Sequence, residues 1–196
     1  MPTYSKFHLK DIDGRWFNFD HQQLGNSCTL ASCKIAKEFY HNQPVSEEFL
    51  RGISTLVAFN ATNQAISPLS QIVVNSHNWD LTGAGVEQTV KVLKVQPLPI
   101  ANARAAAAGI GVLRNGTRNR PVLAGWLWQA GGGHFTVCVG PTRTDPNLLV
   151  ILDPWYGIQY VNVDEAIGGT LMYAPIDPAS GNAGGKGRLA AAITTA

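Results

Sequence analysis

Pro121-Val122-Leu123-Ala124-Gly125-Trp126-Leu127-Trp128-Gln129 alternates with a period of two. Val122, Ala124, Trp126 and Trp128 face one way and Leu123, Gly125 and Leu127 the other, the spacing of a β-strand. Gly131-Gly132-Gly133 follows as a turn, and His134-Phe135-Thr136-Val137-Cys138-Val139 reads as the next strand, with His134, Thr136 and Cys138 on one face. Turn-rich Pro141–Asn147 leads to a third strand over Leu148–Leu152. A fourth is expected over Ile158–Val163, and Leu171–Tyr173 as a short edge strand. From Pro175 onward Gly, Ala and Pro dominate, so residues 175–196 are expected to form a loosely ordered tail.

Upstream of Pro121 the period is helical. Ala31, Ile35 and Phe39 form one stripe of a helix from Cys28 to about Tyr40, which Pro44 cannot continue. Asn26 or Ser27 can cap its start. A second helix is expected from Ser46 to about Phe59, a short one over Pro68–Val74, and a third over Val86–Val95, ended by Pro97 and Pro99. Ala101–Leu113 is Ala-rich and helix-favouring. Residues 1–20 read as an irregular or extended lead-in that Trp16, Phe17 and Phe19 pin to the body. Helices first and antiparallel strands second make an α+β protein. Its helical N-terminal half is expected to pack on a C-terminal antiparallel β-sheet, within a single domain over residues 1–174.

Composition narrows the function classes. The 196 residues are 45% hydrophobic and 14% charged, with a formal net charge of +2, which gives no electrostatic case for a nucleic-acid or membrane-surface partner. No apolar run approaches transmembrane length. The N-terminus lacks an apolar signal region, so synthesis in the cytoplasm is expected. Three Cys without framework spacing argue against structural disulfides.

Chemistry gathers at three places. Cys28 stands at a helix start after Gly25-Asn26-Ser27, where the helix dipole favours thiolate over thiol and backbone N–H groups are on offer to an oxyanion. His134 follows three glycines at the first residue of a strand. Asp153 ends the following strand, before Pro154-Trp155-Tyr156-Gly157. Antiparallel pairing of those strands brings His134 and Asp153 together. A Cys, a His and a carboxylate are the parts of an activated thiol.

Over roughly residues 20–165 the order and spacing of these motifs resemble papain-like cysteine peptidases, closest to the bacterial double-glycine (bacteriocin-processing) peptidases and to papain-like effector and toxin proteases. The resemblance implies Cys28 as nucleophile, His134 as general base and acid, and Asp153 as the orienting third member. It makes Gln22, six residues before Cys28, the oxyanion-hole donor, with Gln23 as its rival. Trp155, two residues after Asp153, stands where a Trp shields the third member's bond to His, and Gly157 where the bacterial subgroup carries a Gly. Papain-like relatives with Asn in third place imply that an amide at position 153 also orients the imidazole. Ser27 and Thr29 depart from the usual flanks of the nucleophile. The implied activity is cleavage of a peptide bond in a protein or peptide substrate, without a cofactor, in a cleft between the helical and strand halves. A bacterial toxin or effector, exported by a dedicated signal-less system and met by an inhibitor or immunity protein, is the setting that the analogy suggests. Acyl transfer, deamidation and a catalytically silent binding module remain open for the same triad. Cys28, Cys33, Cys138 and His134 fit no usual zinc spacing.

Overall fold

A computed structural model of the chain describes residues 6–50 and 95–195, apart from residues 24, 26, 43, 49 and 100–102. The described residues open with a hairpin in which β1 (Lys6–Lys10) pairs antiparallel with β2 (Trp16–Asp20). Period-two alternation sends Phe17 and Phe19 into the core, while Trp16 stays half-exposed and stacks on His8 at 4.5 Å between ring centroids. The expected lead-in is thus a hairpin held by two of its three named aromatics. Next comes α1 (Cys28–His41), which ends at Asn42 in the left-handed conformation. Ser27 holds its N-cap position but makes no side-chain capping bond, and Asn26, the other candidate, lies outside the described residues.

The remaining elements are β3 (Val95–Pro99), α2 (Ala103–Arg114), β4 (Val122–Trp128), β5 (Gly133–Pro141), β6 (Leu148–Asp153), β7 (Gly157–Asn162), a 3₁₀ turn at Val163–Glu165, β8 (Met172–Tyr173) and β9 (Gly187–Thr195). The sheet runs β3-β9-β4-β5-β6-β7, with β8 paired to β9 and every pairing antiparallel. The alternation in β4 sorts its side chains between two cores. Leu123 joins Phe17, Leu30, Ile35, Val137 and Leu152 on the α1 side. Val122, Ala124 and Trp126 join Leu113, Cys138, Ile151 and Tyr173 on the other. Gly131 and Gly132, both at positive φ, make the β4–β5 turn, a conformation that costs glycine little.

The expected class, a helical N-terminal half packed on a C-terminal sheet, is corrected by this topology. Among the described residues the fold is mostly β, with α1, α2, three further helical residues within 47–50, and a nearly closed, barrel-like antiparallel sheet whose main path has six strands. Two physical reasons account for the difference. Pro97 and Pro99, read as helix terminators, lie in β3, an edge strand, where a missing N–H need not break the ladder. The stretch read as a loose tail contains β9, which lies between β3 and β4 inside the sheet. Its small residues are what that position needs. Ala191 faces Gly125 across the ladder, and a Cβ on Gly125 would sit 2.8 Å from the Phe135 ring and 3.3 Å from the Ala191 methyl. The expected domain edge at residue 174 therefore cuts through one sheet. Of the expected second helix, Glu47, Glu48 and Leu50 are described and helical. Its remainder, the Pro68–Val74 helix and most of Val86–Val95 lie outside the described residues, except that Val95 opens β3.

Candidate active site

Four segments meet at one end of the sheet. Cys28 is the first residue of α1, and helix bonding begins at Ala31 N–H to Ser27 carbonyl, so the Cys28 N–H has no acceptor inside the helix. One turn further on, the buried Ser32 hydroxyl donates to the Phe135 carbonyl at 2.8 Å. That bond ties the start of α1 to the residue after His134. The β5–β6 register sets Val137 opposite Leu152, which puts Asp153 opposite Thr136 and diagonal to His134 on the same face. His134 Nε2 and Asp153 Oδ2 stand 2.7 Å apart. An ionised carboxylate only accepts, so Nε2 carries the proton there and Nδ1 is the nitrogen left for another partner. Cys28 lines the same cleft as His134 and adds to the raising of the imidazole pKa.

Asp153 is fully buried and takes four hydrogen bonds. Its Oδ1 accepts from the backbone N–H groups of Trp155 at 2.7 Å and Tyr156 at 3.0 Å, members of the turn that it starts. Its Oδ2 accepts from His134 and from the Tyr173 hydroxyl at 2.5 Å. Burial alone would push the His134 imidazole down. The Asp153 charge and hydrogen bond, joined by Cys28, outweigh burial and raise it to about 10, so His134 is an imidazolium at neutral pH. Gly157 closes the turn at φ 78°, and a Cβ there would meet Leu9 at 2.8 Å, so glycine fits both the backbone and the space.

Gln22, Cys28, Trp128, His134, Trp155 and Tyr156 line one cleft of about 590 Å³. Gln22 is buried, and its N–H donates to the Pro154 carbonyl at 2.8 Å, joining the segment before Cys28 to the turn after Asp153. Gln23 is not among the lining residues; its N–H donates to Glu47 Oε2 at 3.2 Å. Trp155, 42% exposed as a residue, donates its backbone N–H to Asp153, and its indole packs against His21. The indole stacked on His134 is that of Trp128, at 5.5 Å and 17°. Tyr173 and Trp128 carry no motif and were missed by sequence reasoning. The one signal for Trp128 was its place on the same strand face as Trp126.

Cys33, on the buried face of α1, lies in the core. Cys138 donates to the Leu113 carbonyl at 3.4 Å, and complete burial pushes its thiol up to about 12. Among the described residues no group of three or more His, Cys, Asp or Glu side chains is placed to hold a metal ion, and no helix is long and apolar enough to cross a membrane. No protein-family model and no curated protein matches this chain.

Proposed function

We propose that the chain is a cysteine peptidase that opens a peptide bond through Cys28, His134 and Asp153. The observation that carries this reading is one buried unit. Asp153 holds Nε2 of an imidazole that is protonated at neutral pH, and the other side of that imidazole meets a Cys at a helix N-terminus. A Cys beside an imidazole that a carboxylate orients is the arrangement of an activated thiol. Cys28 sulfur attacks the scissile carbonyl carbon and the carbonyl oxygen becomes an oxyanion. The Cys28 N–H and the Gln22 side-chain amide are the donors on hand for that oxygen. His134 gives its Nδ1 proton to the leaving amine as the C–N bond breaks, leaving an acyl-thioester on Cys28. Water then attacks the thioester, His134 takes its proton, and the acid product leaves as the thiolate returns. The papain-like resemblance rests on the order of these residues and not on the fold class expected from it.

The test compares the wild type with Cys28→Ala in a proteome. New protein N-termini that arise with the wild type alone support the peptidase. Ammonia release or amine incorporation without new N-termini would replace it by amide transfer at the same thiol.

A further inference from the structure

We propose that Tyr173 is a positioning residue of this site: its hydroxyl fixes the carboxylate oxygen that holds the imidazole, and its ring supports the indole that backs the imidazole. The inference rests on reading Cys28 and His134 as an activated thiol pair, not on which bond the pair cleaves. Tyr173 is buried on the two-residue strand β8, twenty positions after Asp153. Its hydroxyl reaches the same Oδ2 that accepts from His134 Nε2, at 2.5 Å. Burial and the Asp153 charge raise the phenol well above its ordinary range, so at neutral pH it is the donor in this bond.

The ring continues the construction. Tyr173 stacks on Trp126 at 4.8 Å and on Trp128 at 6.2 Å, and Trp128 stacks on His134. Tyr156 meets the imidazole edge-on from another side at 6.4 Å. A carboxylate held at one oxygen by a turn and at the other by a phenol has one rotamer in which all four donors are served. The imidazole then has one plane, set by the Oδ2 bond and the Trp128 face. The second donor on Oδ2 also shares that oxygen's charge, which tempers its hold on the imidazolium proton.

Tyr173→Phe keeps the ring and removes the donor. The readout is the site-resolved rate of Cys28 alkylation by iodoacetamide across pH, which needs no peptide substrate. The wild type is expected to hold a plateau at neutral pH, with an upper rise near pH 10 as His134 loses its proton. In Tyr173→Phe the upper rise moves up by about one pH unit, because a donor to the carboxylate is gone. Acylation by a p-nitrophenyl ester slows about tenfold as the carboxylate loses its fixed rotamer. Site-specific 3-fluorotyrosine at position 173 keeps the packing and strengthens the donor, so it must move the rise down. Thr136→Val is the structural control: it removes the acceptor of the Trp126 indole N–H, 2.9 Å away, and should lower the melting temperature without moving the rise. Folded Tyr173→Phe with a wild-type rise and acylation rate overturns the proposal, as does a fluorotyrosine profile that does not shift. A wild-type profile without the neutral plateau instead removes the activated pair itself, and the role of Tyr173 with it.

Discussion

Asp153→Asn tests the electrostatic logic of the site most directly. The resemblance to peptidases with Asn in third place implies that an amide can orient the imidazole. The surroundings of Asp153 imply the opposite. Four donors point at this carboxylate, two on each oxygen. An amide offers one accepting oxygen and one donating NH₂. With NH₂ at the Oδ1 place it meets the N–H groups of Trp155 and Tyr156, donor against donor. With NH₂ at the Oδ2 place the Tyr173 hydroxyl can turn and accept, but His134 Nε2 can accept only by giving up its proton. The imidazole then carries its proton on Nδ1, facing Cys28, and cannot take another there while neutral. The negative charge that stabilises the imidazolium is also gone. The same tautomer fault in serine triads costs about 10⁴ in turnover, which is about 5.4 kcal/mol of barrier at 1.36 kcal/mol per tenfold. The assay is the rate of acylation by a p-nitrophenyl ester at neutral pH, with a thermal melt to verify folding. Asp153→Asn should fall about as far as Asp153→Ala. Retention of wild-type activity to within about tenfold by folded Asp153→Asn would refute the four-donor argument.

Gln22→Ala should lower kcat by about 10²–10³ with little change in KM, since its donor acts on a charge that exists only in the transition state; Gln23→Ala, outside the cleft, should be mild, and the reverse ranking in steady-state kinetics would move the oxyanion role. Iodoacetamide should label Cys28 well before Cys33 and Cys138, because one lines the cleft and the other two are in the cores; equal labelling by peptide mapping would count against an activated Cys28. Stability should decline with pH on the alkaline side. The folded imidazole of His134 is raised to about 10 from 6.5, so its contribution is complete below 6.5 and is lost as pH rises toward 10. Melting curves of the wild type should therefore fall over that window more steeply than those of His134→Gln. Ser32→Ala should slow acylation of Cys28 more than it lowers the melting temperature, because the bond it removes registers α1 on β5 beside His134.

The grouping of the candidate site residues was more legible than the fold, for reasons visible in particular residues. Cys28, His134 and Asp153 announce themselves by chemical type and by the turn residues around them. The antiparallel run from Pro121 to Val163 was enough to bring the last two together. The faces of β4 were legible too, because Trp126 and Leu123 alternate in a strand buried on both sides. Residues 175–196 were misread because Gly and Ala score poorly as strand formers. Here their smallness is the asset, since Gly187 lies so close to the Trp128 ring that a Cβ would approach it to 2.7 Å. Tyr173 left no mark in the sequence, because its role depends on β8 pairing with β9 and on what lies across the sheet.

The two halves of the site are secured by different means, and this decides where it can yield. Burying a carboxylate and an imidazolium costs free energy that their attraction does not always recover. Here two of the carboxylate's four donors are backbone N–H groups of the turn after β6, which come with the sheet and cost no side-chain freedom to recruit. The His134–Asp153 half is therefore as rigid as the β5–β6–β7 ladder. Cys28 is placed by a helix that the Ser32 bond ties to β5 beside His134 and that packs through Leu30, Cys33 and Ile35. The Gln22 N–H donates to the Pro154 carbonyl, which ties the segment before α1 to the Asp153 turn. A shift of α1 would move Cys28 relative to His134 and Asp153. The placement of Cys28 against His134 thus depends on the seating of one helix start against one strand start.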